Sequence, residues 1–368
     1  MSDARFDLDP AVHHLNPGSV GVVPRAVIRA RAEYAKRAET NPMRFHRVET
    51  IPLVARARVA GAQFLGSDGL VLVRNVTEAV ATVLASIPFA DGDEILVSDH
   101  GYQAVLLACQ DRALVRQVSF PVDATPAEVV AAFAVGIRPT TRLVIVDAIT
   151  SVTALVLPVE RVVEVAHEHG VPVFVDAAHV PGHLDQRPAD TGADFWVGNF
   201  HKWAYVPRAT AGLHIAEPWR DRILPLVPSF NHPLEFPAWF DHAGTADYTA
   251  WMALPDGLAF WHEIGGWDAV AASARLLDEG VRIVSDAVGA DGQASPHHAP
   301  LMRLVALPQG RVTSVEDAYR YYDELSTHHN IETAVHFYGG QGYLRLGATI
   351  TVTEAGFEAL AAAVAADR

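Results

Sequence analysis

Lys202 is the residue whose chemistry stands out first. The chain has 28 lysines and arginines, and only Lys36 and Lys202 are lysines. An arginine stays protonated and cannot form an imine, whereas a lysine amine can deprotonate and attack a carbonyl. Lys202 lies in residues 198–203, directly after an apolar run. It is therefore a candidate covalent anchor for an aldehyde, and the alternative is an ordinary surface lysine in an arginine-rich composition.

An acidic residue upstream supports the interpretation of Lys202 as a covalent anchor. Residues 171–176 form a short apolar run that ends in Asp176, as expected for a buried strand. In open α/β sheets, ligands bind at the carboxyl ends of such strands. Pyridoxal phosphate requires a Schiff-base lysine and a carboxylate that keeps its pyridine nitrogen protonated. Asp176 and Lys202 together predict this cofactor, although Asp176 taken alone is also compatible with a helix or turn cap.

A possible phosphate site lies earlier in the chain. The apolar run 70–73 leads into Asn75, Val76 and Thr77, after which apolar residues recur at helical spacing. Free backbone amides at the start of a helix, together with the Thr77 hydroxyl, form a cradle for phosphate. The alternative is that Asn75 or Thr77 only caps the helix.

The surrounding elements predict a mostly parallel sheet. Residues 143–149 and 171–176 have the pattern of buried strands, and residues 158–169 between them have an apolar helical face that Gly170 ends. This order is a βαβ unit, for which a right-handed crossover is expected. Proline-rich residues 225–239 predict an irregular connection, and the chain should then pass into a smaller C-terminal domain near residue 250.

Taken in order, these segments resemble the class V aminotransferases of fold type I, and within them the isopenicillin N epimerase-like branch. The resemblance covers most of the chain. It rests on residues 14–21, 41–42, 75–77, 99–102, 147–151, 176–179, 198–203, 244–245 and 344–346.

The resemblance implies an α/β fold of the type I pyridoxal-phosphate transferases. Such a fold has a mostly parallel seven-stranded sheet with helices on both faces, and a smaller α+β C-terminal domain. On this basis we expect residues 1–20 to be an N-terminal segment packed on the small domain. Residues 21–250 should form the large cofactor-binding domain, and residues 251–368 the small domain.

The resemblance also implies roles around the cofactor ring. Lys202 would form the Schiff base, Asp176 would pair with the pyridine nitrogen, and His179 would lie near the phenolic oxygen. His100 is expected to stack on the ring, by analogy with the histidine of cysteine desulfurases, with Tyr102 close behind. Tyr102 could instead direct its hydroxyl at the substrate as a proton donor.

Further residues are implied at the cofactor phosphate. Val76 and Thr77 would hold it, and Gly244 and Thr245 would reach it from a partner subunit. This arrangement requires a homodimer with the active site at the subunit interface. His201 is either a second phosphate or substrate contact, or a packing residue beside the lysine.

The resemblance implies an amino-acid substrate. Arg345 is the matching candidate for its carboxylate, because a planar guanidinium can form two parallel hydrogen bonds to it; a surface role is the alternative. Asn16 is a candidate second contact. The chain departs from the family pattern at residues 147–148, 242–243 and 347–350. These departures leave the cofactor residues intact and bear on the identity of the substrate.

The composition excludes several other classes. A formal charge of −15 disfavours nucleic-acid binding. Cys109 is the single cysteine, so the chain has neither a disulfide framework nor the late cysteine of a desulfurase. Adjacent histidines such as His13 and His14 lack ligand spacing, and no metal is expected. No apolar stretch suits a membrane span and the N-terminus lacks a signal-like core, so we expect a cytoplasmic protein.

The leading hypothesis for the reaction is β-elimination, chiefly carbon–sulfur cleavage of an S-substituted cysteine. Relatives of this branch process sulfur conjugates in secondary metabolism, and Tyr102 could assist the leaving group. Amino-acid epimerisation is the alternative, followed by transamination and decarboxylating deamination. A non-catalytic cofactor-binding protein is a different class of hypothesis, which the intact pair of Lys202 and Asp176 disfavours.

Overall fold

A seven-stranded sheet organises most of the chain. The structure is a computed structural model that describes residues 3–290 and 294–366. One strand is antiparallel to both of its neighbours, and the other pairings are parallel. In spatial order the strands are Leu70–Val73, Ala211–Ile215 (the antiparallel strand), Phe195–Asn199, Val173–Asp176, Thr141–Asp147, Glu94–Ser98 and Leu114–Val118.

Helices cover both faces of this sheet. Along Leu70–Val73, Leu70 and Leu72 belong to one buried cluster, while Val71 and Val73 belong to another, because successive strand side chains point to opposite faces. A strand that is buried on both faces requires apolar side chains at successive positions, which explains the uninterrupted apolar sequence of Leu70–Val73. A π-helix, Phe45–Glu49, and a 3₁₀ helix, Glu217–Trp219, belong to this part. Its α-helices are Arg25–Thr40, Pro42–Arg44, Thr50–Leu65, Val76–Ser86, Gln103–Gln110, Pro126–Gly136, Val159–Glu168, Pro188–Thr191, Phe200–Trp203, Thr249–Met252 and Leu254–Glu263.

The predicted βαβ unit is present with shifted boundaries. Its strands are Thr141–Asp147 and Val173–Asp176, which pair in parallel, and its helix is Val159–Glu168. The first strand ends two residues before the expected residue 149. It ends there because the chain turns back on itself, and Ile149 forms an isolated antiparallel bridge with Val156.

A second, smaller sheet forms the C-terminal part. Its three strands are antiparallel, in the order Ala334–Tyr338, Gln341–Gly347 and Met302–Ala306. The surrounding helices are Trp267–Val288, Val315–His329 and Glu354–Ala366. The first and last of these pack closely, since a Cβ added at Gly280 would lie 2.5 Å from the Phe357 ring.

The N-terminal segment contacts this C-terminal part. His13–His14 pair in parallel with Ile331–Glu332, and Leu15 is buried in the C-terminal apolar cluster. The pairing supports the expected packing of this segment, and the domain boundaries near residues 20 and 250 stay predictions. Between the two parts, the region of residues 225–239 contains only the start of the short 3₁₀ helix Ala238–Phe240. Among the described helices, none has the length and apolar character needed to cross a bilayer.

Candidate active site

A cavity of about 270 Å³ opens at the carboxyl ends of the central parallel strands. The strands Thr141–Asp147 and Val173–Asp176 each end in an aspartate that lines it, and Phe195–Asn199 leads directly into the short helix that carries the lysine. The predicted site residues that line this active-site cavity are Asn75, Val76, Thr77, Tyr102, Asp176, His179, His201 and Lys202.

Lys202 is poised between charged and neutral forms. Loss of hydration lowers the pKa of its amine to about 7, and the positive charge of Arg345 acts in the same direction. The negative charge of Asp176 opposes both effects. A substantial fraction of the amine is therefore uncharged near neutral pH, as a nucleophile and proton acceptor must be.

His179 fixes the proton arrangement beside the lysine. Its ring is buried, and its Nδ1 accepts a hydrogen bond from the Trp203 indole at 3.3 Å. Burial, together with the charges of Lys202 and Arg345, lowers the pKa of His179 well below its usual value. A neutral ring that accepts at Nδ1 carries its proton on Nε2. His179 therefore donates from Nε2 to the Lys202 amine, 3.1 Å away.

Two carboxyl groups lie side by side at the base of the cavity. Asp147 and Asp176 end neighbouring parallel strands in register, and both are buried. Burial raises the pKa of Asp176 to about 6, against the opposing effects of a hydrogen bond from the Ala178 amide and the charge of Lys202. Burial and the nearby charge of Asp176 raise the pKa of Asp147 as well. Sequence reasoning did not assign Asp147 to the site, although its place at a strand end was an available signal.

The turn before Val76–Ser86 differs from the expected phosphate cradle in detail. The Asn75 side chain caps the helix by accepting from the Glu78 amide at 2.9 Å, which was the alternative interpretation. The Val76 amide donates to Asn199 Oδ1 at 3.2 Å, so Asn199 is a site residue that the sequence analysis missed. Among the described residues, the Thr77 hydroxyl has no hydrogen-bond partner and lines the cavity.

Arg345 lies on the C-terminal strand Gln341–Gly347, behind the residues that line the cavity, and it contacts two of them, Ser19 and Ser151. Its buried guanidinium donates to Asn16 Oδ1 at 2.7 Å, to Ser19 Oγ at 2.9 Å and to the Ser151 carbonyl. Burial lowers the pKa of Arg345 to about 10, which leaves it charged at neutral pH. Asn16 is therefore placed to hold the arginine in position, a more specific arrangement than the second substrate contact that the sequence suggested.

His100 does not line the cavity, contrary to the expectation. Its ring is fully buried, stacks on Phe120 with centroids 4.3 Å apart, and is hydrogen-bonded to Thr153 Oγ1 and Tyr338 Oη at 2.7 Å each. The neighbouring Tyr102 is 46% exposed and lines the cavity. The order of these two residues along the chain did not reveal which ring turns inward, because that depends on the aromatic residues packed behind His100.

The remaining predicted residues are placed as follows. His201 lines the cavity and pairs through Nδ1 with the Thr210 carbonyl at 2.9 Å, and burial lowers its pKa to about 4. Gly244 and Thr245 do not line the active-site cavity of their own chain; Thr245 lines a separate one. Their contribution from a partner subunit stays a prediction.

The donor set fits pyridoxal phosphate. A lysine of lowered pKa suits an aldehyde, a buried carboxyl group suits a pyridine nitrogen, and a hydroxyl at a helix start suits a phosphate. Within residues 3–290 and 294–366, no group of three or more His, Cys, Asp or Glu side chains is arranged to hold a metal ion.

Comparison with known proteins identifies the family. Residues 18–285 match the family model described as aminotransferase class-V. The chain therefore belongs to the class V aminotransferases, a family that uses pyridoxal phosphate. It is 31% identical to isopenicillin N epimerase of Streptomyces clavuligerus, over 98% of this chain and 96% of that protein. It is 29% identical to L-cysteine desulfhydrase of Arabidopsis thaliana, over 89% of this chain and 78% of that protein.

Solved structures show the same fold. The cystine C–S lyase C-DES, in complex with its product cysteine persulfide, has a TM-score of 0.82 at 19% identity and covers 96% of this chain and 97% of its own. A C-DES mutant with glycine covalently linked to its pyridoxal-phosphate cofactor has a TM-score of 0.83 at 20% identity, with 98% of both chains covered. The predictions of family, fold type and cofactor are thus confirmed.

Proposed function

We propose that the protein is a carbon–sulfur lyase that acts by β-elimination on an S-substituted cysteine. The balanced reaction converts the conjugate and water into a thiol, pyruvate and ammonium. The observation that carries the proposal is the position of the Lys202 amine, which lies in the cavity 3.1 Å from His179 Nε2; with a pKa lowered to about 7 it can both accept and return a proton there. The resemblance to L-cysteine desulfhydrase supports the same chemistry.

Arg345 would hold the substrate carboxylate. Its three hydrogen bonds to Asn16, Ser19 and Ser151 leave further N–H donors on the planar guanidinium for this purpose. The bonds also fix the direction in which those donors point. A substrate bound in this way would present its Cα toward the side of the cavity that carries Lys202.

Pyridoxal phosphate, when bound, supplies an electron sink for the charge that develops at Cα. Lys202 would remove the Cα proton in its neutral form and, once protonated, could return a proton to the departing sulfur. Asp176 would hold a proton at the ring nitrogen, and His179 would lie beside the phenolic oxygen. Tyr102 would lie against the ring in place of His100, or donate a proton to the leaving group.

Thr77 would bind the phosphate with its hydroxyl at the helix start, where the Val76 and Glu78 amides already donate to Asn199 and Asn75. His201 lines the same cavity and would be a further contact. We also propose that Gly244 and Thr245 of a second copy complete the phosphate site, so that the active form is a homodimer. Sedimentation of the purified protein, with and without the substitution Thr245→Ala, would test this.

The reaction is tested by incubating the holoenzyme with S-ethyl-L-cysteine and measuring pyruvate and ethanethiol. Equal amounts of the two products are expected. The same incubation in deuterium oxide, followed by chiral analysis of the remaining amino acid, tests for epimerisation instead. Exchange at Cα with inversion and without pyruvate would reject the lyase proposal.

Epimerisation is the second candidate, and the 31% identity to an isopenicillin N epimerase over nearly the whole chain favours it. It requires a second acid that returns the proton to the opposite face of Cα, and Tyr102 is the residue we assign to that role. Transamination or decarboxylating deamination on the same site would instead yield a keto acid that retains the sulfur substituent, or carbon dioxide. Product analysis of the same incubation distinguishes all four reactions.

A further inference from the structure

A second cavity of about 550 Å³ adjoins the active site. We call it the outer cavity. Ser19 lines both cavities and accepts a hydrogen bond from Arg345, and Asn16, the other side chain that holds this arginine, also lines the outer cavity. A ligand whose carboxylate binds Arg345 would therefore lie beside Ser19, which the two cavities share.

The carboxylates of the outer cavity already have partners. Asp7 forms an ion pair with Arg25 at 2.5 Å. Glu332 accepts hydrogen bonds from the Tyr322 hydroxyl at 2.8 Å and from the Ser326 hydroxyl at 2.7 Å. The charge of Asp7 is therefore balanced by Arg25, whereas the two hydroxyl donors fix the orientation of Glu332 and leave its negative charge in place.

The cation of the outer cavity, in contrast, lacks a counterion. Arg208 is exposed and donates only a long hydrogen bond of 3.4 Å to the Gly21 carbonyl. In the described part of the chain, no carboxylate lies within ion-pair distance of its guanidinium. His14 also lines this cavity; its Nε2 atom is buried without a hydrogen-bond partner, and burial lowers its pKa.

The backbone beside Arg208 is held in an unfavourable conformation. Tyr205 has a φ of 58° and Ala209 a φ of 64°, a region that non-glycine residues rarely adopt. The Trp251 indole donates to the Ala209 carbonyl at 2.9 Å and helps to keep the chain there. Such strain often accompanies a functional placement of a side chain.

We propose that the outer cavity binds the distal end of the substrate, and that Arg208 pairs with a carboxylate there. The ligand class is a cysteine S-conjugate whose sulfur substituent is a short apolar chain ending in a carboxylate. Val20, Val22 and Ile28 line the cavity and would contact the chain's methylene groups. The inference rests on the proposed function, because the sulfur substituent of a substrate held by Arg345 is the part that would extend past Ser19.

The test compares ligands that differ only in charge. S-(2-carboxyethyl)-L-cysteine and S-(2-carbamoylethyl)-L-cysteine have the same size, as do their homologues with two more methylene groups. Each is titrated into the holoenzyme, and the change in cofactor absorbance gives the dissociation constant. We expect the acid to bind about three- to tenfold more tightly than the amide, as is typical for an ion pair at a partly exposed site. Added salt should reduce this preference.

Arg208→Gln should remove the preference for the acid and leave the affinity for the amide unchanged, whereas Arg208→Lys should keep part of it. The matched control is Arg112→Gln, an exposed arginine that pairs with Asp111 on the surface and lies outside both cavities. Thermal unfolding of each variant checks that the fold is intact. Equal affinity of the unsubstituted protein for acid and amide at both chain lengths, or a preference that survives Arg208→Gln, would overturn the proposal.

The titration and an assay of pyruvate release together distinguish a failure of the outer-cavity proposal from a failure of the proposed elimination reaction. Selective binding of the acid without pyruvate release would reject elimination and leave the outer cavity assigned. Cleavage of acid and amide with equal efficiency and affinity would support elimination and reject the role of Arg208. An absent spectral response to every ligand would count against both.

Discussion

The active site has two sides that treat their polar residues in opposite ways: a sheet wall, which lines the cavity, and a C-terminal wall, whose Arg345 is bonded to the lining residues Ser19 and Ser151. On the sheet side, Lys202, Asp147 and Asp176 are desolvated, and their pKa values move toward neutrality. On the C-terminal side, Arg345 is equally buried, but Asn16 and Ser19 accept its hydrogen bonds and its charge is retained. Burial without enough partners produces groups that exchange protons, whereas burial with partners produces a fixed binding group.

This difference between the sheet wall and the C-terminal wall predicts that substitutions on the two walls have different consequences. Changes on the sheet side should alter proton transfer and pH dependence, while changes on the C-terminal side should alter substrate affinity. The following experiments test this contrast, beginning with the largest expected effect.

Lys202→Ala should lower kcat by about 10²–10⁴-fold from the loss of proton transfer alone. Lys202→Arg should not restore activity, because a guanidinium stays protonated. Pyruvate release measures the loss, and borohydride reduction followed by peptide mass mapping locates the cofactor adduct. Lys36→Ala, at the other lysine, is the matched control and should behave as the unsubstituted protein. An adduct mapped to a residue other than Lys202 would contradict the assignment of the sheet wall.

Arg345→Gln should reduce kcat/KM by about 10- to 100-fold, because a charged hydrogen bond to the carboxylate is worth about 1.5–3 kcal/mol. Most of the change should appear in KM, as the difference between the walls requires. Arg345→Lys should recover little, since an ammonium lacks the planar pair of donors. Initial-rate kinetics give both parameters. A fall in kcat with an unchanged KM would contradict the contrast.

Asp147→Asn should change how the stability of the cofactor-free protein depends on pH. A buried carboxyl with a raised pKa binds its proton more tightly in the folded state, so the free energy of unfolding falls as pH rises above the ordinary aspartate range. Removing that group should flatten the decline, so that Asp147→Asn gains stability relative to the unsubstituted protein between about pH 5 and about pH 8. Urea denaturation at about pH 5 and pH 8 measures the difference.

Asp111 is exposed, and Asp111→Asn is the control for that experiment. The slope of its unfolding free energy against pH should equal that of the unsubstituted protein. If Asp147→Asn and Asp111→Asn gave the same pH dependence, Asp147 would not have the raised pKa that its burial beside Asp176 predicts.

Tyr102→Phe is expected to have the smallest effect, about 1 kcal/mol or less, if the ring only lies against the cofactor. Tyr102→Ala should then weaken cofactor binding more, which an absorbance titration of the cofactor-free protein would measure. A loss of kcat in Tyr102→Phe without a change in cofactor affinity would instead identify the hydroxyl as a proton donor. His100→Phe tests whether His100 is a packing residue outside the cavity, and we expect this change to lower stability more than cofactor affinity.

Much of the sheet wall was predictable from local sequence. Apolar runs that end in Asp176 or precede Lys202 imply strands whose carboxyl ends meet at one edge of a sheet. The same rule applied to Asp147 would have added it to the site. Asn199 was harder to find, because its role depends on reaching the Val76 amide 123 residues away.

The sequence by itself was enough to predict the family and the cofactor, since of its two lysines only Lys202 follows a buried strand with an acidic strand end nearby. The tertiary structure alone decided which of His100 and Tyr102 faces the active-site cavity, how Asn16 holds an arginine 329 positions away, and that Arg208 lines the same outer cavity as Asn16. Residue type and spacing encode what a side chain can do. The burial of a side chain, its hydrogen-bond partners and its orientation arise only when distant segments pack together. These three features decide whether the side chain is charged and which group it contacts.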